Sequence, residues 1–398
     1  MNTAPRTLLA FSGGLDTSFC VLWLREQGRE VHTVTVDTGG FGDAELARIE
    51  KLARELGAES HTTINARDEL FCDYLRFLIA GNVLRGGVYP LSVSAERVCQ
   101  ARGVVNHGRR INAVALAHGS TGAGNDQVRF DVAFRTLAPE LEVLTPIRDL
   151  ALSRPDERAF LSARGFTFPE KVARYSINEG MWGTSIGGKE THDSWQHLPD
   201  EAYPGGEIDP ALPARAVTIT FDKGVPSQID EEAKSSVAVI DALNAIGRRY
   251  GIGRGIHLGD TILGIKGRVG FEAPAAHLLI TAHRELEKLV LTGKQLFWKE
   301  HLGNLYGTLL HEGQFFDPLA RDLETFLESS QRVVTGDARV RISPRSFAVE
   351  GVRSANSLMR SEIASYGEGT SLWSGSEAAA FAKIFGVPQV LAMGSRNE

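Results

Sequence analysis

Two stretches of this 398-residue chain concentrate side chains able to do chemistry. In LLAFSGGLDTSFCVLWL, residues 8–24, an apolar run stops at Ser12, Gly13 and Gly14. Leu15, Asp16, Thr17 and Ser18 follow before the chain turns apolar again. Glycines at a strand-to-helix turn let backbone N–H groups converge on an anion, and the helix N-terminus adds partial positive charge. Ser12, Thr17 and Ser18 add hydroxyl donors, whereas Asp16 would repel a bare phosphate and makes sense through a bridging Mg²⁺. The plainer reading is a tight turn with one Ser or Asp as helix cap. The second stretch is HGSTGAGNDQVRF, residues 118–130. Gly122 and Gly124 flank Ala123 and permit close backbone approach, while Thr121, Asn125, Asp126 and Arg129 bunch polar groups. Singly, these read as a helix cap or a surface charge. Neither stretch is a Walker A loop, because no Gly-Lys-Ser/Thr follows the glycines.

Strands and helices must alternate to hold such loops. TLLAF (7–11), VHTVTV (31–36), HTTIN (61–65) and AVALAHG (113–119) read as strands. TSFCVLWLREQG (17–28), DAELARIEKLARELG (43–57) and DELFCDYLRFLIAGN (68–82) read as helices between them. That alternation predicts an α/β fold with a parallel sheet, whose ligands bind beyond the carboxyl ends of the strands. Both polar loops leave strands at that edge. From about residue 150 the texture changes to α+β. Residues 151–175 read as a connector and 183–213 as a surface excursion. RAVTITF (215–221) reads as a strand, 234–251 as a helix and 256–274 as glycine-punctuated hairpins. A long helical stretch over 275–331 precedes a strand-like 338–352. A final helix over 374–386 would be marginal alone, so it is expected to pack on another subunit.

Composition excludes several classes. The length exceeds what one core usually supports. A net charge of −6 gives no general drive toward nucleic acid or anionic membrane. Cys20, Cys72 and Cys99 share no metal-ligand spacing and read as apolar fillers in a reducing compartment. No signal-peptide run precedes the first glycines and no run could span a bilayer, so a cytoplasmic protein is expected.

SGGLDTS resembles the pyrophosphate-binding loop of the N-type ATP pyrophosphatases, which split ATP into AMP and pyrophosphate. The second stretch closely resembles the second signature of the argininosuccinate synthase family, Gly-x-Thr-x-Lys-Gly-Asn-Asp-x-x-Arg-Phe. Residues 88–102, 175–186 and 259–274 are similar to further segments of that family. The resemblance implies ATP-dependent joining of citrulline and aspartate through citrullyl-AMP, with Mg²⁺, in a homotetramer. It implies ATP contacts at Ala10, Phe11, Ser12, Gly13, Gly14, Leu15, Asp16, Thr17, Ser18, Val36 and Gly119. Aspartate would meet Thr121, Asn125 and Asp126, and citrulline Tyr89, Ser94, Arg97, Asn125, Arg129, Ser176 and Ser185. It also implies a nucleotide-binding domain over 1–165, an α+β amino-acid-binding domain over 166–365 and an assembly tail over 366–398.

The chain departs from the family pattern at several positions. Ala123 stands where the signature has lysine, and Asn178 where the paired-serine segment has Asp. Two glutamates and a tyrosine align with Gly187, Gly259 and Phe271. Either Glu190 or Asp260 fills that gap, or the pocket takes a citrulline whose amine is acylated, such as N-acetylcitrulline. A pyrophosphatase acting on tRNA would instead call for a catalytic cysteine pair or a basic face. A non-catalytic nucleotide sensor would not need the two polar loops.

Overall fold

The structure, a computed structural model, describes residues 4–168, 175–360, 363, 370 and 372–394. The chain forms two compact units, Met1–Ser354 and Ala355–Glu398.

The first unit begins with strand β1 (Arg6–Ala10), helix α1 (Leu15–Glu26), strand β2 (Glu30–Asp37), helix α2 (Asp43–Glu55) and strand β3 (Ser60–Asn65). Helix α3 (Ser94–Arg110), β4 (Ala115–Ala117), α4 (Asn125–Leu137), β5 (Glu142–Leu144) and α5 (Arg154–Ser162) follow. The five strands pair in parallel in the order β3-β2-β1-β4-β5. Successive side chains of a strand point to opposite faces, so Leu8 enters one core and Leu9 the other. Burial on both faces is why β1 and β4 read as continuous apolar runs, whereas the edge strand β3 has no buried residue.

Beyond this sheet, β6 (Tyr175–Gly180) and β7 (Gly183–Gly188) form a hairpin. It joins β11 (Arg254–Asp260) and β12 (Lys266–Glu272) in a sheet of order β11-β12-β7-β6. A third, antiparallel sheet runs β10-β9-β8-β13-β14. Its strands are β8 (Arg215–Asp222), β9 (Val225–Ile229), β10 (Glu232–Ala233), β13 (Gly336–Ser343) and β14 (Ser346–Arg353). Helices α6 (Ser236–Tyr250), α7 (Pro274–Val290), α8 (Gly293–His311) and α9 (Pro318–Gln331) complete the unit. One continuous core joins Leu8 and Val34 of the parallel sheet to Val217 and Ile342 of the third sheet.

Several expectations are corrected. The connector over 151–175 contains α5, started by a Ser153–Asp156 capping box. The excursion over 183–213 opens with β7, whose glycines hide its strand character. Residues 338–352 are not one strand but most of a hairpin. Pro344 and Arg345, the latter at φ 62°, make the turn between two strands that each alternate exposed with less exposed side chains. The helical stretch over 275–331 divides where Thr292 and Asp317 cap new helices. The strand expected over 113–119 covers only Ala115–Ala117, and a π-helical turn, Phe71–Leu75, interrupts the helical segment 67–80. Cys20 and Cys99 are buried, but Cys72 is exposed and fills no core.

In the second unit, helix α10 runs on from Gly375 to Gly394 with none of its residues buried. Phe381, Ile384, Phe385, Val390, Leu391 and Met393 are exposed along it. Among the described residues no helix is long and apolar enough to cross a membrane.

Candidate active site

The order of the parallel sheet makes the gap between β1 and β4 its topological switch point. The turn after β1 and the loop after β4 both leave at this edge. Gly13 takes φ +69°, and a Cβ there would come within 2.9 Å of Ile49, so the tight path requires glycine. Thr17 Oγ1 donates to the Gly14 carbonyl at 3.3 Å, and Ser12 Oγ lies 3.3 Å from Thr17 Oγ1. Helix α1 has no side-chain N-cap bond, which leaves the hydroxyls of Ser12 and Thr17 turned to the loop. Gly119 brings the two loops together, since a Cβ on it would stand 3.2 Å from Thr17 Cγ2 and 3.3 Å from the Asp16 main chain.

These loops form one wall of a cavity of about 1110 Å³. Ala10, Phe11, Ser12, Gly14, Leu15, Asp16, Thr17, Val36, Gly119, Thr121, Asn125 and Asp126 line it, together with Tyr89, Arg97, Arg129, Ser176 and Ser185. Gly13, Ser18 and Ser94 lie behind the lining. Ser18 is fully buried, and its Oγ has no hydrogen-bond partner among the described residues. Ser94 Oγ bonds His311 Nδ1 at 3.0 Å.

Charge in the cavity is organised around Asp126, in the first turn of α4. Arg97 Nε donates to its Oδ2 at 2.9 Å and Arg129 Nη1 to its Oδ1 at 2.9 Å. Burial alone would raise the Asp126 carboxyl, but the two guanidiniums outweigh it and hold it below the ordinary range. Arg97 also reaches Gln100 and Asn178. Arg129 is buried and donates to the His311 carbonyl at 2.9 Å. Burial and the charge of Arg129 lower His311 to about 3, so its Nδ1 accepts from Arg129 and from Ser94 as a neutral imidazole. Asn125 Oδ1 accepts from the Ile262 amide at 3.0 Å, tying the second loop to the tip of the β11–β12 hairpin.

His118 is buried at the start of the second loop. Its Nδ1 accepts from the Ser120 amide, and its Nε2 therefore donates to Asp131 at 2.8 Å. Under Asp16, burial and the nearby Asp16 charge push the Glu157 carboxyl up. On the opposite wall Tyr89 stacks on His257, ring centroids 5.4 Å apart, and packs against Phe271. Burial pushes the Tyr89 hydroxyl up to about 12. Gly259 lines the cavity, while Gly187, Phe271 and Glu190 do not. Asp260 lines it and pairs with Lys266 at 2.7 Å.

Among the described residues no group of three or more His, Cys, Asp and Glu side chains could hold a metal by itself. A metal carried by phosphates needs only one or two carboxylates, and Asp16 on the cavity wall meets that demand. Sequence reasoning missed His257, His311, Arg154 and Arg268, all on the lining. They come from elements outside the two polar loops, and only Arg268 lies within a segment, 259–274, that the sequence singles out by its family resemblance.

Two family models cover most of the chain. The one described as "Arginosuccinate synthase N-terminal HUP domain" matches residues 6–167. The one described as "Arginosuccinate synthase C-terminal domain" matches residues 175–392. The chain is 40% identical to an argininosuccinate synthase of Rubrobacter xylanophilus over 96% of its own length and 94% of the relative's. It is 39% identical to that of Methanocaldococcus jannaschii over 91% of each chain. With that of Pyrobaculum aerophilum the identity is 37%, over 99% of this chain and 100% of the relative.

Proposed function

The chain belongs to the argininosuccinate synthase family, and on that premise we propose that it joins citrulline to aspartate at the expense of ATP, releasing AMP and pyrophosphate. The observation that carries this reading is one cavity bounded by a glycine turn suited to phosphates and by the Arg97–Asp126–Arg129 cluster suited to zwitterions. The names of the relatives favour free citrulline as substrate, so the acylated-citrulline and tRNA readings are set aside.

In this reading the phosphates rest on the turn from Ser12 to Ser18, with Gly13 and Ser18 shaping it from behind. Adenine lies against Ala10, Phe11, Val36 and Gly119. Asp16 would hold a Mg²⁺ carried by the phosphates, and that ion supplies neutralisation of their charge. Thr121, Asn125 and Asp126 receive aspartate, Asp126 facing its ammonium. Tyr89, Arg97, Asn125, Arg129, Ser176 and Ser185 receive citrulline, with a guanidinium on its carboxylate. Ser94 acts through His311 by fixing its ring.

The ureido oxygen of citrulline attacks the α-phosphorus, pyrophosphate leaves, and the aspartate amine then displaces AMP from the ureido carbon. Catalysis is positioning and charge stabilisation by backbone donors and arginines. Residues 1–165 act as the nucleotide domain, 166–365 as the amino-acid domain and 366–398 as an assembly tail. The exposed apolar side chains around α10 support assembly, which we read as a homotetramer, and we place the enzyme in the cytoplasm. The test is pyrophosphate release by the full chain with each substrate omitted in turn. Argininosuccinate should form only when all three are present; pyrophosphate release that ignores citrulline contradicts the proposal.

A further inference from the structure

Four arginines line the cavity: Arg97, Arg129, Arg154 and Arg268. Arg97 and Arg129 are engaged by Asp126. Arg268 donates to the main-chain oxygens of Glu190 and Asp193. Arg154 is exposed and has no hydrogen bond or ion pair among the described residues. It is the cation on this wall that no hydrogen bond or ion pair engages, its charge being felt by the Glu157 carboxyl three positions on.

Local structure determines where it stands. The Ser153–Asp156 capping box starts α5, and Arg154 is the first residue of that helix. Three positions on, and therefore on the same face, Glu157 is buried within the influence of the Asp16 charge. The first turn of α5 thus lies beside the Ser12–Ser18 turn, and Arg154 shares the cavity wall with Asp16 and Thr17. This corner is otherwise acidic, and the second loop carries Ala123, so it brings no cation there.

We propose that Arg154 binds the terminal phosphates of the nucleotide and stays on pyrophosphate as it departs. The inference rests on the ATP-cleaving reading above. When the ureido oxygen bonds to the α-phosphorus, the bridging α,β-oxygen leaves with its electron pair. The charge that accumulates on the leaving group is met by parallel N–H donors of the guanidinium, which transfers no proton. A lysine would supply the charge without the fork.

The test compares the full-length protein with Arg154→Ala, Arg154→Lys and the double variant Arg154→Ala/Ala123→Lys. Arg154→Ala should raise the KM for ATP and the inhibition constant of inorganic pyrophosphate about 10- to 100-fold. The KM values for citrulline and aspartate should stay within about threefold and the unfolding midpoint should move little, because the side chain is exposed and only its charge reaches Glu157. Arg154→Lys should lose less, and Ala123→Lys should restore part of the loss by returning a cation to the opposite loop. Unchanged ATP and pyrophosphate constants, or a loss shared equally by all three substrates, overturns the assignment. Calorimetric titration with inorganic pyrophosphate keeps the two proposals apart. If the parent chain proves inactive with citrulline, the ATP-cleaving reading fails. At least tenfold weaker pyrophosphate binding by Arg154→Ala would still uphold the Arg154 site, and equal binding would discard it.

Discussion

Replacing Asp126 with Asn removes one charge from the centre of the cavity while keeping the shape of the side chain. Two guanidiniums depend on that charge, each at 2.9 Å. Arg97 has other partners in Gln100 and Asn178, so its loss is small. Arg129 is 2% exposed, and its remaining partners are a carbonyl and a neutral imidazole of His311. Stripping the counter-ion from a buried member of an ion pair costs roughly 3–5 kcal/mol. The Asn oxygen still accepts one bond, so a loss of about 3 kcal/mol is expected, or roughly 3–5 °C in unfolding temperature for a unit of this size. Kinetically, the proposed aspartate ammonium loses its partner. A charge-assisted bond of that kind contributes roughly 1.5–3 kcal/mol, so kcat/KM for aspartate should fall about 10- to 100-fold. ATP, bound at the other loop, should change within about threefold. Differential scanning calorimetry and initial-rate kinetics on one preparation read both numbers. An unchanged unfolding temperature would refute the energetic argument, and equal effects on ATP and aspartate would refute the placement of the ammonium.

Other parts of the molecule give equally direct expectations. Asp16→Ala should abolish pyrophosphate release with little effect on unfolding temperature, since a turn residue adds little to the core; near-normal turnover would remove its metal-bridging role. Glu96 is buried, one carboxylate oxygen accepts from the Trp182 amide at 3.3 Å, and burial with the charges of Asp37 and Asp126 pushes it up to about 8. With the folded value raised, its contribution is intact below about pH 4.5 and is lost as pH rises toward 8. Glu96→Gln should therefore match the parent near pH 4.5 and exceed it by about 3 kcal/mol near pH 7. A difference in denaturant midpoint that does not vary with pH would exclude this titration. Free citrulline should be used far better than N-acetylcitrulline under identical ATP and aspartate, and a preference for the acylated compound would reopen the question posed by Gly187, Gly259 and Phe271.

Contiguous chemistry was legible in the sequence. Ser12 to Ser18 and Thr121 to Arg129 each fit within one turn and the helix that follows, so residue type and spacing mark them as candidate loops, and the family resemblance supplies the roles proposed for their residues. The parallel sheet was legible for a similar reason, because strands buried on both faces are uninterrupted apolar runs such as LLA in β1. What escaped depends on partners distant in the chain. Arg129 and His311 are separated by 182 positions, and nothing near either one marks the other. His257 becomes a wall of the cavity only because β11 carries it onto Tyr89. Gly183–Gly188 escaped as a strand because three of its six residues are glycine and its pairing with β12 and β6 supplies the order that its own propensity lacks. The hairpin turn at Pro344–Arg345 was masked by alternation that continues on both sides of it.

The central claim is that the ureido oxygen of citrulline attacks the α-phosphorus of ATP. Citrulline carrying ¹⁸O in its ureido group, turned over with ATP and aspartate by the full chain, tests it in one mass spectrum. The account predicts one ¹⁸O in the phosphate of AMP, none in pyrophosphate, and unlabelled argininosuccinate. Unlabelled AMP, or label in pyrophosphate, would contradict it.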